Sequence, residues 1–276
     1  MNDSPTPDAP QTLEGHYVLH DFYGIAWSFW QSQPVAEREA VVNEATSWLQ
    51  DEAGVGQTNS AIYSMLGQKG ELMLLHYRKN VDAINRTERS FRRLRLYNYL
   101  RPLYAYFSVI EASLYEASAI AQRKAGEKGA KPGSEPYEEA FNEAMAKERK
   151  VLEARVFRAI PEQRYLSFYP MNKRRGEVHN WYALPVEERR ALMRGHGKVG
   201  HKFSREVTQV VGGSIGLDDW EWGVSLHSAN PLAIKRLITE MRFDPASANY
   251  AEFGPFYFGI RQQPENLAVL LAGGLV

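Results

Sequence analysis

The chain contains no cysteine, and this absence excludes several classes of site at once. Disulfides, thiolate-bound zinc, cysteine-ligated iron–sulfur clusters and a cysteine nucleophile all require a thiol. The chain also lacks an apolar run of about 18 residues, so we expect no membrane-spanning helix. Lysine plus arginine (33) balances aspartate plus glutamate (33), which leaves no global basic field to attract nucleic acid. We therefore expect a cytoplasmic protein that does not bind nucleic acid.

The rest of the composition is that of a folded protein with two domains of ordinary size. Of the 276 residues, 44% are hydrophobic and 12% are aromatic, which is ample for a buried core. Residues 1–14 are polar and proline-rich, so we interpret them as a disordered tail and not as a signal peptide. Residues 124–150 begin with small, charged and turn-forming residues typical of an exposed linker or insert. We predict an N-terminal domain over 15–123 and a C-terminal domain over 151–276.

The hydrophobic pattern predicts the same order of elements, β-α-β-β-α-β, in both halves of the chain. The strand patterns occupy residues 17–27, 59–66, 71–77, 103–111, 165–170, 206–211, 220–226 and 255–261. The helix patterns occupy residues 34–49, 81–99, 185–195 and 231–241, and a further polar helix pattern over 138–150 lies between the two halves. This is the order of a ferredoxin-like unit. We predict an α+β fold of two such units, with antiparallel sheets packed side by side or closed towards a barrel and helices outside.

The candidate catalytic and metal-binding residues are concentrated near the start of the second half. Tyr169 and Lys173 stand at the end of a predicted strand, and His196 stands at the end of a predicted helix between Gly195 and Gly197. A neutral imidazole is a common proximal ligand of haem iron, and flanking glycines leave room for a flat macrocycle. Taken alone, such a histidine is more often a surface or capping residue, and such a tyrosine is more often part of a core.

Cations cluster around the same tyrosine. Lys173, Arg174 and Arg175 follow it directly, and Arg155 precedes it by 14 residues. Arginine binds carboxylates in a bidentate manner, so this group suits a ligand with several carboxylates and a flat apolar body.

These residues and their surroundings resemble the chlorite-dismutase-like haem proteins, and within that family the coproheme decarboxylases. The matching motifs occupy residues 165–175, 180–185, 192–197, 213–223, 241–244 and 250–255. The C-terminal half carries nearly all of them, whereas the N-terminal half agrees in pattern only. The resemblance implies two ferredoxin-like domains, assembly into a homo-oligomeric ring that is usually a pentamer, and a porphyrin site in the C-terminal domain.

The resemblance also implies roles for individual residues. His196 matches the proximal iron ligand, Tyr169 the catalytic tyrosine, and Lys173 the residue that holds or protonates the reacting propionate. Arg155, Met171 and Ser247 match positions that line the propionates or the porphyrin edge. Gln209 matches the distal position. The chain departs from the pattern at His201, where an arginine is expected.

The function that the resemblance implies is a step of haem biosynthesis. Two propionates of iron coproporphyrin III (coproheme), which is substrate and redox cofactor at once, lose their carboxyl groups as carbon dioxide and become the vinyl groups of haem b. Hydrogen peroxide is the oxidant, a tyrosyl radical takes the hydrogen, and an upstream coproporphyrin ferrochelatase is a possible partner.

Three other interpretations remain open from the sequence. Chlorite dismutation or general haem peroxidase activity would use the same fold, but chlorite dismutases need a distal arginine and Gln209 is neutral. A non-catalytic haem sensor or carrier would bind haem and turn nothing over. A purely structural interpretation makes Tyr169 and His196 core residues.

Overall fold

The computed structural model describes residues 11–53, 59–127, 131 and 133–273. Its strands are β1 (Thr12–Ile25), β2 (Asn59–Leu66), β3 (Leu72–Arg78), β4 (Leu100–Ser113), β5 (Tyr165–Lys173), β6 (Val207–Gly213), β7 (Trp222–Ser228), β8 (Ala251–Phe253) and β9 (Tyr257–Gln262). Its α-helices are α1 (Trp27–Gln31), α2 (Val35–Ala53), α3 (Val81–Phe91), α4 (Tyr115–Glu127), α5 (Glu135–Val156), α6 (Val186–Lys202), α7 (Pro231–Phe243), α8 (Pro245–Tyr250) and α9 (Leu267–Leu271). Short 3-10 helices cover Arg95–Tyr99, Trp181–Ala183 and Pro264–Asn266.

The predicted α+β fold and the repeated order of elements are confirmed. The first half runs β1, α2, β2, β3, α3, β4, and the second half runs β5, α6, β6, β7, α7, β9. The structure adds α1, α4, α8, α9 and β8, which were not predicted. The predicted helix over 81–99 is shorter, because α3 ends at Phe91 and a separate 3-10 turn follows. No helix among these described segments is long and apolar enough to span a membrane.

The strands form one sheet in the order β7-β6-β4-β1-β3-β2-β9-β5-β8, and β5 also pairs with β7. That extra pairing joins the eight strands other than β8 in a closed ring of pairings. Each half contributes its strands in ferredoxin-like order, β4-β1-β3-β2 and β9-β5-β7-β6. The halves meet where β2 pairs antiparallel with β9, with Tyr63 opposite Arg261. The alternative of two sheets packed side by side is therefore wrong, and the alternative of closure is right.

The chain divides into two compact units that do not follow the predicted domain boundaries. The smaller comprises residues 1–16 and 109–158, and the larger comprises residues 17–108 and 159–276. Strand pairing explains the difference, because the strands of both halves belong to one sheet and hold most of both predicted domains in the larger unit. Residues 1–10 of the predicted tail lie outside the described residues, and β1 already begins at Thr12.

The smaller unit contains the helix that was predicted over 138–150, and it corrects the prediction of an exposed linker before that helix. Most of the 124–150 stretch is helical, because α4 runs to Glu127 and α5 begins at Glu135. Alanine, glutamate and lysine favour helices strongly enough to outweigh the few glycines and prolines between them. Buried alanines let the two helices approach, and Lys124 pairs with Glu148 at 2.8 Å. The buried alanines are Ala117, Ala121, Ala125, Ala140 and Ala144.

In the larger unit, each half of the sheet packs against helices, but the two halves differ in the side chains that are buried between sheet and helices. In the first half, Trp30 and Tyr99 are buried in the cluster that also includes α2. In the second half, α7 buries four side chains, while α6 buries none completely. The side chains that α7 buries are Ala233, Ile234, Leu237 and Met241. These α7 side chains belong to a second-half cluster to which α6 contributes no buried side chain. The other members of the cluster are Tyr169, Phe203, Val207, Val224 and Leu226.

Candidate functional site

Strand β5 carries three of the predicted site residues on one face. Alternate residues of a strand point to the same side, so Tyr169, Met171 and Lys173 share a face. Val224 of β7 lies opposite Tyr169, and Phe253 of β8 lies opposite Met171. Tyr169 and Val224 belong to the second-half cluster, and Met171 and Phe253 pack against it. The strand that was predicted to end at residue 170 thus extends to Lys173 and brings it beside the tyrosine.

Tyr169 is buried among aromatic rings. Its side chain is 6% exposed, and its ring stacks on Phe256 with a centroid distance of 4.5 Å. The ring of Phe253 lies 5.7 Å away. Burial raises the pKa of Tyr169 above its ordinary value, against the opposing effect of the Arg242 charge. The phenol therefore stays protonated near neutral pH, and oxidising it requires the loss of a proton together with an electron.

Lys173 holds its ammonium against an aromatic surface. The Nζ atom lies 4.1 Å from the ring centroid of Trp181, within the range of a cation–π interaction. The backbone N–H of Lys173 donates to a carboxylate oxygen of Glu221 at 2.7 Å. Burial lowers the pKa of Lys173 to about 8, and the charges of Asp244 and Glu221 act in the opposite direction. The side chain is mostly cationic at neutral pH and loses its proton under mildly alkaline conditions.

His196 lies in the interior of α6, and the prediction that it ends the helix is wrong. The helix continues through Gly195, Gly197 and Gly200 to Lys202. Glycine weakens a helix by about 1 kcal/mol per residue but still forms the backbone hydrogen bonds, so it does not by itself terminate one. His201 is exposed in the last turn, where a basic residue suits the helix dipole.

The imidazole of His196 is oriented by a buried carboxylate. Its Nδ1 atom lies 2.8 Å from Oδ2 of Asp244, whose side chain is 2% exposed. A carboxylate is an acceptor, so the proton of the neutral imidazole lies on Nδ1 and the lone pair lies on Nε2. This carboxylate–histidine arrangement is the usual support of a metal-binding histidine. Of the two ring nitrogens, Nε2 is therefore the one that could bind a metal.

Asp244 was missed as a site residue by sequence reasoning. It is the N-cap of α8, and its Oδ2 accepts the Ser247 backbone N–H at 3.1 Å and the Ser247 hydroxyl at 3.2 Å. An aspartate followed by proline is a recognisable helix start, so the capping role could have been found. The contact with His196, 48 residues earlier, depends on the packing of α6 against α8.

Ser247, predicted at the porphyrin edge, lies in this hydrogen-bonded cluster. Its Oγ is 3.4 Å from Nδ1 of His196 as well as bonded to Asp244. Gln209 is exposed on β6 opposite Leu226, which is two residues from Val224, the partner of Tyr169. Gln209 therefore lies on the same sheet face as Tyr169, which is compatible with a distal position.

Arg155 belongs to the smaller unit. It is exposed on α5 and lines a groove of about 690 Å³ together with neighbours on the same helix and just after it. Those neighbours are Lys147, Lys150, Val151, Ala154 and Arg158. Four of the six residues that line the groove are lysine or arginine. The assignment of Arg155 to the propionates stays a prediction.

Asp244 connects the two parts of the site. It bonds His196 of α6 and is near enough to Lys173 of β5 for its charge to raise the lysine pKa. A potential metal ligand, a buried phenol and a cation are thereby gathered in the larger unit. Within the described ranges, no group of three or more histidine, aspartate or glutamate side chains could enclose a metal ion. A metal at His196 would need most of its ligands from another group.

Comparison with known proteins agrees with this architecture. Two ferredoxin-like halves in one closed sheet define a dimeric α+β barrel, and the family model described as chlorite dismutase matches residues 38–262. The chain belongs to the chlorite dismutase family. A solved structure described as a novel heme-binding protein from Thermus thermophilus is 36% identical, with a TM-score of 0.81, over 97% of this chain and 99% of that chain.

Curated relatives from two haloarchaea are similar to the whole chain. A protein of Natronomonas pharaonis, heme-binding by name, is 38% identical over 271 residues, which is 97% of this chain and 42% of the relative. A second, from Haloquadratum walsbyi, is 36% identical over 270 residues, covering 96% of this chain and 48% of the relative. The chain thus spans less than half the length of these relatives. A mutant chlorite dismutase from Candidatus Nitrospira defluvii, 17% identical with a TM-score of 0.71 over 94% of this chain and 97% of that chain, shares the fold.

Proposed function

We propose that this chain binds iron coproporphyrin III and catalyses the peroxide-dependent oxidative decarboxylation of two propionates to the vinyl groups of haem b. The observation that carries the proposal is the position of Asp244. Its carboxylate is hydrogen-bonded to His196, and its charge raises the pKa of Lys173, which lies on the same strand as Tyr169. Membership of the chlorite dismutase family and relatives named as heme-binding support a porphyrin ligand.

The residues around His196 fit an iron porphyrin. One imidazole with its lone pair on Nε2 is the donor set of a proximal ligand, and the porphyrin provides the other nitrogens. Gly197 has no positive φ, and a Cβ atom added to it would meet no heavy atom of the described residues within 4 Å. The packing of the protein therefore does not require glycine there, whereas a flat ring lying against His196 does.

The porphyrin iron, when bound, supplies the redox chemistry together with peroxide. For each propionate the balance is R–CH₂–CH₂–COO⁻ + H₂O₂ + H⁺ → R–CH=CH₂ + CO₂ + 2 H₂O. The propionate gives up two electrons and peroxide accepts them. The chain's own residues must hold the propionate, provide the hydrogen-accepting group and keep the ring in place.

Tyr169 is the hydrogen-accepting group in this proposal. Its buried phenol loses an electron and a proton together, and the resulting tyrosyl radical takes a hydrogen atom from the β-carbon of the propionate. That transfer restores the phenol, and the propionate loses its second electron as carbon dioxide is released. Both electrons would pass through the bound iron porphyrin to the peroxide, as the balance requires. The rings of Phe256 and Phe253 limit the movement of the tyrosine. Fixed geometry of this kind is what a short-range hydrogen transfer requires.

Lys173 holds the carboxylate of the reacting propionate and can supply the proton that the balance consumes. A partly buried ammonium binds a carboxylate more strongly than an exposed one does, because screening by water is weaker. Its pKa of about 8 also makes it a better proton donor than an ordinary lysine. Met171, between the two on the same face, provides apolar contact for the porphyrin edge.

A second candidate function, favoured by the names of the relatives, is a non-catalytic haem carrier or sensor. Chlorite dismutation is less favoured, because the proposed distal residue is the neutral Gln209. A homopentamer, supply of substrate by a ferrochelatase and a cytoplasmic location remain part of the proposal.

The deciding experiment is incubation of the purified protein with iron coproporphyrin III and hydrogen peroxide, followed by mass spectrometry of the porphyrin. We expect stepwise loss of two propionate carboxyl groups and accumulation of haem b. Tight binding without conversion would support the carrier function instead. Sustained oxygen release from chlorite would indicate dismutation, and a protein that stays colourless would exclude a porphyrin site.

Replacing Gly197 by alanine is expected to move stability and ligand binding in opposite directions. Alanine at an open helical position should raise the free energy of unfolding by about 0.5–1 kcal/mol. The added methyl group should weaken porphyrin binding by roughly tenfold, equivalent to about 1.4 kcal/mol. Urea unfolding and absorbance titration measure the two effects. Gly126→Ala in α4, also an open position, gives the stability gain from helix propensity alone. Unchanged affinity in Gly197→Ala would contradict a ring lying against this residue.

Replacing Asp244 by asparagine is expected to weaken iron porphyrin binding by about 10–100-fold, as for other carboxylates that support a metal-binding histidine. The neutral amide makes the imidazole of His196 less basic, so the iron–histidine stretching vibration in resonance Raman spectra should shift to lower frequency. Ser247→Ala is the matched control, because it removes a donor to Asp244 but leaves the carboxylate in place. If Asp244→Asn has no more effect than Ser247→Ala, the carboxylate does not support His196.

A further inference from the structure

Glu221 is a buried carboxylate that the proposed chemistry has not yet used. It precedes β7 and is 6% exposed. A buried carboxylate is costly unless donors surround it. One oxygen accepts the backbone N–H of Lys173 at 2.7 Å, and the other pairs with the guanidinium of Arg175 at 2.8 Å. The backbone N–H of Glu221 itself donates to Oδ1 of Asn172 at 2.8 Å. Glu221 thus binds the end of β5 on both sides of the Lys173 side chain.

The segment after β5 returns towards the same carboxylate. Arg175 forms an isolated bridge with Asn180, and the next residue, Trp181, donates its backbone N–H to the Arg174 carbonyl at 2.9 Å. The guanidinium of Arg175 lies 5.6 Å from the ring centroid of Tyr182. Through Arg175, Glu221 therefore also holds the turn that presents Trp181.

Trp181 is the surface on which the Lys173 ammonium rests. Glu221 consequently helps to position the Lys173 ammonium in two ways. It holds the backbone of Lys173 directly, and it supports the Trp181 indole through Arg175. Burial, and after it the nearby Glu221 carboxylate, raise the pKa of Tyr182, so the phenol of this residue also lies close to Glu221. These contacts share one centre, so removing the carboxylate should release them together.

The charges that face Lys173 come from two directions. Asp244, before α8, and Glu221, before β7, both favour the ammonium form, with Asp244 the stronger of the two. Arg175 pairs with Glu221 and partly neutralises its charge. Trp181 adds the negative face of its ring. Burial opposes all of them and lowers the pKa of Lys173 to about 8.

We propose that Glu221 is a positioning residue for Lys173, which it holds over Trp181 and keeps in the ammonium form on the Tyr169 face of the site. The inference deepens the proposed function, because the role of Lys173 at the propionate rests on that function. The physical coupling between Glu221 and Lys173 does not depend on it and can be measured without porphyrin.

The test measures the pKa of Lys173 in the ligand-free protein by NMR, with ¹³C at lysine Cε and assignment by Lys173→Arg. Glu221→Gln removes a charge that favours the ammonium, so the pKa should fall by about half a unit to one unit. Arg175→Met removes a nearby cation and leaves Glu221 unneutralised. The backbone bond from Trp181 to Arg174 and the contact of its indole with Tyr250 do not involve the Arg175 side chain, so the indole should stay in place and the pKa should rise. Opposite shifts from two neighbouring variants are not expected of a purely structural role. Glu177→Gln, an exposed residue of the same turn, is the matched control and should cause little shift.

The second measurement is turnover of iron coproporphyrin III with peroxide. Glu221→Gln should slow it by about tenfold, while porphyrin affinity stays within about twofold, because the residue acts through Lys173 and not on the ligand. Glu221→Asp, which keeps the charge, should recover part of the rate. If Glu221→Gln does not fold, Arg175→Met serves alone, because its side chain is 62% exposed and its loss is tolerable.

The inference is overturned if neither variant shifts the pKa of Lys173, or if Glu177→Gln shifts it equally. If the wild-type protein binds iron coproporphyrin III but converts none, the proposed function fails. The NMR titration still decides the coupling in that case, so the two failures are distinguishable.

Discussion

Replacing Tyr169 by phenylalanine is expected to leave iron coproporphyrin III bound but not decarboxylated. The variant keeps the ring that stacks on Phe256 at 4.5 Å, so the fold should be retained. It loses the hydroxyl group, and phenylalanine is not oxidised at a comparable potential. We expect conversion to fall by at least about 1,000-fold, equivalent to about 4 kcal/mol of transition-state stabilisation. Mass spectrometry of the porphyrin after peroxide addition measures the result.

The matched control for this experiment is Tyr165→Phe. Tyr165 points to the same face of β5, four residues earlier, and stacks on Phe258 with a centroid distance of 5.9 Å. It should convert substrate at close to the wild-type rate. Porphyrin affinity should also change by less than about threefold in Tyr169→Phe, so that lost binding is not mistaken for lost chemistry. Formation of haem b by Tyr169→Phe at a normal rate would remove this tyrosine from the mechanism.

Replacing His196 by alanine is expected to abolish the five-coordinate iron spectrum of the porphyrin-loaded protein. Affinity for iron coproporphyrin III should fall by at least about 100-fold, because the iron loses its protein ligand. Asp244 would remain buried without one of its donors, which should also cost about 1–3 kcal/mol in the free energy of unfolding. Absorbance and resonance Raman spectra report the first effect, and urea unfolding reports the second.

His201→Ala provides the comparison within the same helix. His201 is exposed in the last turn of α6, so its replacement should leave the iron spectrum unchanged and the stability within about 0.5 kcal/mol. Adding imidazole to His196→Ala should partly restore the five-coordinate spectrum, because the added ligand can occupy the place of the side chain. An iron spectrum in His196→Ala identical to that of wild type would mean that another residue binds the iron.

The strands and the internal repeat could be predicted from local sequence. Strand-like runs on either side of a glycine-containing turn indicated β2 and β3 within one residue of their ends, and the α7 pattern with Pro231 at its start was equally clear. The helix over 185–195 was found but ended too early, because glycines near His196 were interpreted as a stop. Much of α5 was predicted as a polar helix, whereas α4 and the packing of the two helices were missed. The alanines that pack them are informative only once two helices are known to meet.

The candidate site was predictable where its residues are close in sequence. Tyr169, Met171 and Lys173 lie two residues apart on one strand, so their common face follows from the strand period. Asp244 and Glu221 were missed as site residues, since each meets its partner through a contact between elements about 48 residues apart in the chain. Both are acidic residues beside a regular element, a position that is common for residues with no role in a site.

The sequence by itself determined the α+β class, the repeated β-α-β-β-α-β order and the tyrosine, lysine and histidine of the candidate site. These features depend on local periodicity and on residue types within one segment. Only the tertiary structure decided that the strands form one closed ring of pairings, and that two buried carboxylates hold His196 and Lys173.

Tertiary structure also distinguished the two halves, which share one order of elements. In the first half, Trp30, Tyr99 and their neighbours fill the space between sheet and helices. In the second half, the glycine-containing helix α6 buries no side chain completely and leaves His196 27% exposed. How fully a face is packed depends on side chains brought together from distant parts of the chain, and local patterns do not contain that information.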